Sequence, residues 1–373
     1  MKTLDAELLN SLTKNESAPC LSIYLPVHKN VSESAQDPLN LKNIIKDIRT
    51  NVKPEDVQGV ESLLEPVEKY LEEKSFVREN DGTLAIFSSP KVFETVFLPT
   101  AHAPAFFVDD CFYVLPLLTF ASENKRFHVL TVGKNHVRLF EGDRYRFEEI
   151  SLGDDIPRTM KEALGYDLTD NHLHAAAGGS AAIHGYMEIT DEKDTDNVRF
   201  FRIIDHEINT NYSKPEKIPL ILAALPENQS LFQSLSKNEC LLKDYIALNA
   251  DSIDKADLHQ HALAIFEQAK TQQVAKQLER FAVGKNEKLA TDEVADIARH
   301  AMDSRIDQLF IAEGKTLAGT ISVEDRKIKP NKDSYGDIIN QIALLTYKNG
   351  GQVHTLANNT SALPRGIGSL NRF

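Results

Sequence analysis

Two rhythms of apolar residues alternate along the chain, and the changes between them mark out its elements. The segment from about Leu4 to Leu12 reads as an amphipathic helix, with acids set among its leucines. CLSIYLP at 20–26 reads as a strand by its β-branched and aromatic content and its closing proline. After a polar stretch from His28 to Pro38, Leu39, Leu41, Ile44, Ile45 and Ile48 fall at helical spacing. Lys53-Pro54-Glu55 starts a second helix, on which Val57, Val60, Leu63, Leu64, Val67 and Leu71 share one face. Asp81-Gly82 then precedes two short strands, TLAIFSS and KVFETVFL, joined at Ser89-Pro90. This first α/β unit closes near Leu118.

The rhythm shortens at about Arg126. RFHVLTVG, HVRLFEG and YRFEEI are three strands parted by Gly133-Lys134-Asn135 and Gly142-Asp143, both hairpin signals. A three-strand meander followed by alternating helix and strand is the order of an RNase H-like domain. The continuation predicts a helix over about Asn197–Thr210, a strand at Ile218–Leu225, a helix over Glu227–Leu235 and a strand at about Tyr245–Leu248. A long helix starts after Asp257. In the last part, Thr291-Asp292-Glu293 opens a helix carrying Val294, Ile297, Ala298 and Met302. Strands follow at 305–314 and 316–323, then a helix over Tyr335–Tyr347 and the strand QVHTL. The tail GIGSLNRF adds an edge strand. The fold class is α/β in three domains, residues 1–122, 123–270 and 271–373.

Composition narrows the picture without changing it. A length of 373 residues suits two or three domains, and 42% apolar residues exclude wholesale disorder. The longest apolar runs, such as Ile218–Leu225, fall far short of the roughly 18 residues a membrane span needs. The first residues do not read as a secretion signal. Cys20, Cys111 and Cys240 are widely spaced and odd in number, which suits neither a disulfide framework nor a cysteine zinc site. A cytoplasmic protein with no membrane partner is expected.

Charge is uneven. Residues 1–122 carry 11 basic and 18 acidic side chains, residues 123–270 carry 17 and 25, and residues 271–373 carry 14 and 12. A general binder of duplex nucleic acid is usually basic, so the net charge of −13 argues against DNA. Docking into a preformed RNA cavity through local basic loops remains compatible with it.

The least periodic segment runs from Asp167 to Gly185 and is rich in small residues. Loops this long inside a compact domain are usually functional or disordered. Its Gly178-Gly179 pair allows main-chain amides to approach a ligand closely. His172 and His174, with Asp170 and His184 nearby, fit a metal site, and Ser180, His172 and Asp170 fit a hydrolytic triad. Twelve histidines produce such groupings by chance, and the GxSxG pattern is missing around Ser180. Neither metal nor cofactor is expected, and a plain surface insertion is equally compatible.

Beyond that loop, Arg199 and Arg202 stand at i, i+3 on one side of a helix, a spacing suited to RNA phosphate. Pairing with Asp194, Asp196 or Asp205 is the competing reading. A two-metal nuclease needs carboxylates on its first strands, and RFHVLTV and HVRLF carry none. Gly350-Gly351-Gln352 closes a helix and feeds QVHTL, so we read it as a cap.

SIYLP, VLTVGKNHVRLFEG and IDQLFIAEG, in that order, resemble the bacterial branch of the archaeo-eukaryotic release-factor and Pelota superfamily over nearly the whole chain. The likeness looks strongest to its Balon-type ribosome hibernation factors. It implies an N-terminal domain at the decoding centre, with His28, Lys29 and Asn30 in the contacting loop. It also implies an RNase H-like central domain whose loop reaches the peptidyl-transferase centre, and a C-terminal α/β sandwich that helps bind a translational GTPase, elongation factor Tu by analogy. Release factors carry Gly-Gly-Gln on the central loop; here Gly178-Gly179-Ser180 takes that place, beside His172 and His174. Loss of the glutamine implies a non-catalytic protein. The expected function is a factor that binds rRNA of both ribosomal subunits and fills the vacant aminoacyl site in hibernation. The alternative is a release or rescue factor that hydrolyses peptidyl-tRNA, and a metal-dependent hydrolase is the more distant rival.

Overall fold

The computed structural model describes residues 2–15, 17–52, 57–73, 81–133, 136–154, 156–165, 182–247, 254–357 and 362–373. Its N-terminal sheet holds β1 (Lys2–Thr3), β2 (Cys20–Val27), β3 (Gly82–Ser88), β4 (Phe93–Leu98) and β5 (Ala105–Asp109), in the order β1-β4-β3-β2-β5. The helices of this part are α1 (Ala6–Thr13), α2 (Val31–Ser34), α3 (Asp37–Asn51), α4 (Val57–Glu73) and α5 (Leu115–Glu123). β2 lies between β3 and β5 and pairs antiparallel with both. That position explains why CLSIYLPV is apolar apart from Ser22, because alternate residues enter two different cores. Leu21, Ile23, Leu25 and Val27 pack with Leu41, Ile45 and Ile48 of α3 and Leu63, Leu64 and Val67 of α4. Cys20 and Tyr24 pack on the other side with α1 and α5.

The central sheet holds β6 (Phe127–Val132), β7 (Val137–Gly142), β8 (Phe147–Ile150), β9 (Leu220–Ala224) and β10 (Ile246–Ala247), in the order β10-β9-β6-β7-β8. The first three form an antiparallel meander, and β9 and β10 add in parallel beside β6. This is the RNase H-like order read from the sequence. Helices α6 (Met160–Leu164), α7 (Ala182–Ile208), α8 (Lys214–Glu216), α9 (Pro226–Leu235) and α10 (Lys255–Asn286) complete it. One face of the sheet meets Phe200, Phe201, Ile204 and Ile208 of α7, and the other meets Leu258, Ala262 and Phe266 of α10. α7 starts at Ala182, well before the apolar stripe that predicts it near Asn197. Its opening text, AIHGYMEITDEKDTD, mixes in the poor helix formers Gly, Thr and Asp, and its apolar residues stop at Ile189.

The C-terminal part holds β11 (Ala290–Thr291), β12 (Ile306–Ala312), β13 (Gly319–Ser322), β14 (Lys327–Pro330), β15 (Gln352–Leu356) and β16 (Ile367–Asn371), with helices α11 (Val294–Met302) and α12 (Ile338–Lys348). Two of its features depart from the sequence reading. The tail strand β16 is not at an edge, since the order is β11-β16-β12-β15 and all five of its residues are buried. Gly368 is what admits it, for a Cβ there would stand 2.6 Å from the Phe281 ring. The segment 316–323 forms only the short β13, which pairs with β14 in a separate hairpin. Gly350 takes φ +75° and its N–H bonds Tyr347 O, while Gly351 N–H bonds Thr346 O, so the Gly-Gly-Gln text is a helix C-cap.

Two compact units result, Met1–Glu123 with Val274–Phe373, and Asn124–Gln273. Within the first, one core joins Tyr24, Phe87 and Phe112 to Ile297, Leu309, Ile339 and Ile342. Its polar centre is Asn340, 1% exposed. α5 opens on Val114-Leu115-Pro116 and so lacks a local capping side chain. The Asn340 amide substitutes for one: its oxygen accepts from Val114 N at 2.8 Å and Leu115 N at 3.1 Å, and its nitrogen donates to Phe112 O at 3.0 Å. Asn340→Ala should therefore destabilise this unit by about 3 kcal/mol, since two buried N–H groups lose their acceptor. Urea unfolding of the variant beside wild type measures it; a loss within error of zero would mean that water replaces the amide.

Candidate functional site

The chemistry-bearing residues fall on two surfaces. The first is the turn after β2. Asp37, 0% exposed, sits at the start of α3, accepts from His28 N at 3.0 Å, and holds His28 Nδ1 at 2.8 Å. This hydrogen bond to a buried carboxylate pulls the His28 imidazole above its ordinary pKa. With Nδ1 engaged, Nε2 is the free edge of a ring whose side chain is 36% exposed. Lys29 N–H bonds Asp81 Oδ1 at 2.7 Å. Asn30 receives Ser32 N and Oγ at its side-chain oxygen and Glu33 and Ser34 N–H at its carbonyl, which caps α2. The loop is thus rigidly laid out by its own polar residues, and the Lys29 ammonium has no partner among the described residues. Sequence reasoning picked out His28, Lys29 and Asn30 and missed Asp37 and Asp81, which hold them. The buried acid just before Pro38 was the available signal.

The second surface is the outer face of α7. Phe200, Phe201, Ile204 and Ile208 turn inward, which leaves Arg199, Arg202 and His206 exposed on the opposite side at i, i+3 and i+7. The competing reading pairs them with Asp194, Asp196 or Asp205; the Asp194 side chain lies outside the described residues. Asp205 is 6% exposed and engaged elsewhere: it accepts from Ser236 Oγ, and from Lys237 N at 2.8 Å. Neither Arg199 nor Arg202 has an ion-pair or hydrogen-bond partner among the described residues. Two unpaired forks on one helical face can grip successive phosphates. His172, His174, Gly178, Gly179 and Ser180 lie outside the described residues.

A cavity of about 450 Å³ lies at the meander edge, lined by His136, Arg138, Glu149 and Arg158 among others. Its Arg138 guanidinium is occupied, bonding both oxygens of Glu149 at 3.1 and 2.6 Å. Glu141 lies within β7, beyond the text HVRLF that was read as free of acids. It pairs with Arg126 at 3.0 Å and stands 3.4 Å from His128 Nε2. Among the described residues no group of three or more His, Cys, Asp or Glu side chains is placed to hold a metal ion. No helix among them is long and apolar enough to cross a membrane.

Residues 126–305 match the model of the bacterial archaeo-eukaryotic release factor family 3, and over that segment the chain is similar to that family. Among solved structures, an archaeal translation termination factor, aRF1, aligns over 99% of this chain and 97% of its own at 15% identity, with a TM-score of 0.25. Saccharomyces cerevisiae Dom34 aligns over 81% and 82% at 9% identity, with a TM-score of 0.40. Archaeal Pelota, from a model of its ribosome-bound form with ABCE1, aligns over 100% and 95% at 10% identity, with a TM-score of 0.41. No curated protein matches the chain.

The His28–Asp37 contact sets a pH dependence. A folded-state pKa raised above the unfolded one adds stability that is complete below about pH 6.5 and is lost as pH rises through the raised value. Solvent screening of the half-exposed ring holds the effect to under about 1 kcal/mol. Thermal melts across that range should show His28→Ala losing most stability at the acidic end and converging on wild type at the alkaline end. Parallel curves would remove the ion pair from the account.

Proposed function

We propose that this chain is a ribosome-binding translation factor that fills the vacant aminoacyl site and protects idle ribosomes. The match of residues 126–305 to a release-factor family carries the reading. Arg199 and Arg202, without an ion-pair partner among the described residues, and the ordered His28-Lys29-Asn30 loop support it as phosphate and base contacts. In this reading the loop meets the decoding centre, α7 lies along rRNA, and Gly178-Gly179-Ser180 with His172 and His174 approaches the peptidyl-transferase centre. The factor is non-catalytic, because Ser180 stands where a release factor needs glutamine. A translational GTPase such as elongation factor Tu is the proposed delivery partner. An overall charge of −13 is compatible with a protein guided by shape and a few local cations.

Co-sedimentation with vacant ribosomes, with and without tRNA in the aminoacyl site, tests the proposal. Saturable one-to-one binding that the tRNA abolishes is expected. Arg199→Glu/Arg202→Glu should weaken it by about tenfold or more, with a shallower salt dependence. Binding indifferent to tRNA would rule out the aminoacyl site. A release assay on stalled complexes decides the remaining point: peptide release lost in Gly178→Ala/Gly179→Ala would make the chain a peptidyl-tRNA hydrolysing rescue factor.

A further inference from the structure

The C-terminal segment forms a basic concavity of about 650 Å³. Lys285 at the end of α10, Lys288 in the turn beyond it, Arg299 on α11, Arg305 before β12 and Arg326 before β14 line it, with Asp296, His300 and Asp303 between them. α11 presents this wall because Ile297, Ala298 and Ala301 on its other face are buried.

Acids pair with three of these five cations. Asp292 holds Lys285 at 2.6 Å, Asp296 pairs with Arg299, and Asp303 pairs with Arg326. Lys288 is left with no partner among the described residues. Arg305 gives one Nη2 bond to the main-chain oxygen of Phe373 at 3.0 Å, while its buried Nε has no acceptor. Asn371 Nδ2 lies 3.1 Å from His300 Nδ1, which makes Nδ1 the acceptor and leaves the ring proton on Nε2. Burial, and then the charge of Arg305, hold His300 below its ordinary pKa, so it serves as a neutral donor near neutral pH.

Four described non-glycine residues take positive φ, and three gather here: Lys288 at +60°, Arg326 at +53°, and Ser304 at +57° between Asp303 and Arg305. Such conformations cost about 1 kcal/mol or more apiece and persist where the surroundings demand them. Lys288 takes its positive φ in the turn that ends α10, where Leu289 N bonds Gly284 O, and its ammonium has no partner among the described residues.

We propose that this concavity binds a phosphate group, with Lys288 and Arg305 as the direct contacts. The site is independent of the ribosome reading and is tested on the free protein. Calorimetry of the full chain at low salt would use three probes: inorganic phosphate, pyrophosphate and a short 5′-phosphorylated RNA. Lys288→Gly removes the ammonium and relaxes the backbone, whereas Ser304→Gly relaxes the backbone alone. Wild type and Ser304→Gly should bind alike, and Lys288→Gly about fivefold more weakly, with no loss in melting temperature. Binding of phosphate or pyrophosphate marks a small phosphorylated ligand; binding of the RNA alone, with the same loss in Lys288→Gly, marks backbone phosphates. No heat with any probe, unchanged affinity in Lys288→Gly, or an equal loss in both variants overturns the proposal.

Discussion

One side-chain amide ties the first segment of this chain to the last. Asn340 caps a helix it does not belong to, closing the orphan N–H groups of α5 that Val114, Leu115 and Pro116 cannot serve themselves. The same turn of α12 carries two further ties. Asp337 accepts from Ile339 N and Leu317 N, and Gln341 donates to Asp109 while accepting from Ile321 N. Around these bonds the apolar residues of β2, α5, α11, α12 and β12 close into a single core. Hydrophobic burial supplies most of the driving force, but it is not directional. The amide bonds fix which helix faces which.

The meander and the parallel strand beside it were legible because each element announces itself locally. Short β-rich runs are separated by Gly133 and Gly142, and IPLILAAL reads as a strand buried on both faces. The position of β16 was not legible. GIGSLNRF looks like a tail, and only the Phe281 ring above Gly368 reveals that the strand is interior. The core shared by the first and last segments left no trace either, since Asn340 and Val114 are 226 residues apart. Periodicity reports on the next turn of chain and is silent on such distances.

The functional surfaces divide in the same way. Arginine spacing along α7 could be read off directly, and the structure adds that one neighbouring acid, Asp205, is committed to Ser236 and Lys237. His28 could be picked out as a polar residue after a strand, whereas its orientation depends on the buried Asp37. The basic concavity of the C-terminal segment went unread. Its cations are scattered from Lys285 to Arg326 and converge only when α10, α11 and the β13–β14 turn meet.

The shared core also orders events during synthesis. β2, β3 and α5 leave the translating machinery first, with Tyr24, Phe87, Phe112 and Leu117 facing a partner that has not yet been made. The central sheet, whose strands and covering helices are contiguous in sequence, has everything it needs to fold in the interim. Until α12 emerges near the very end, the nascent chain therefore carries a finished domain beside a half-covered, sticky sheet. Chaperone demand should concentrate in that interval, and a ribosome that stalls shortly before Asn340 leaves behind a fragment prone to aggregate rather than a usable partial protein.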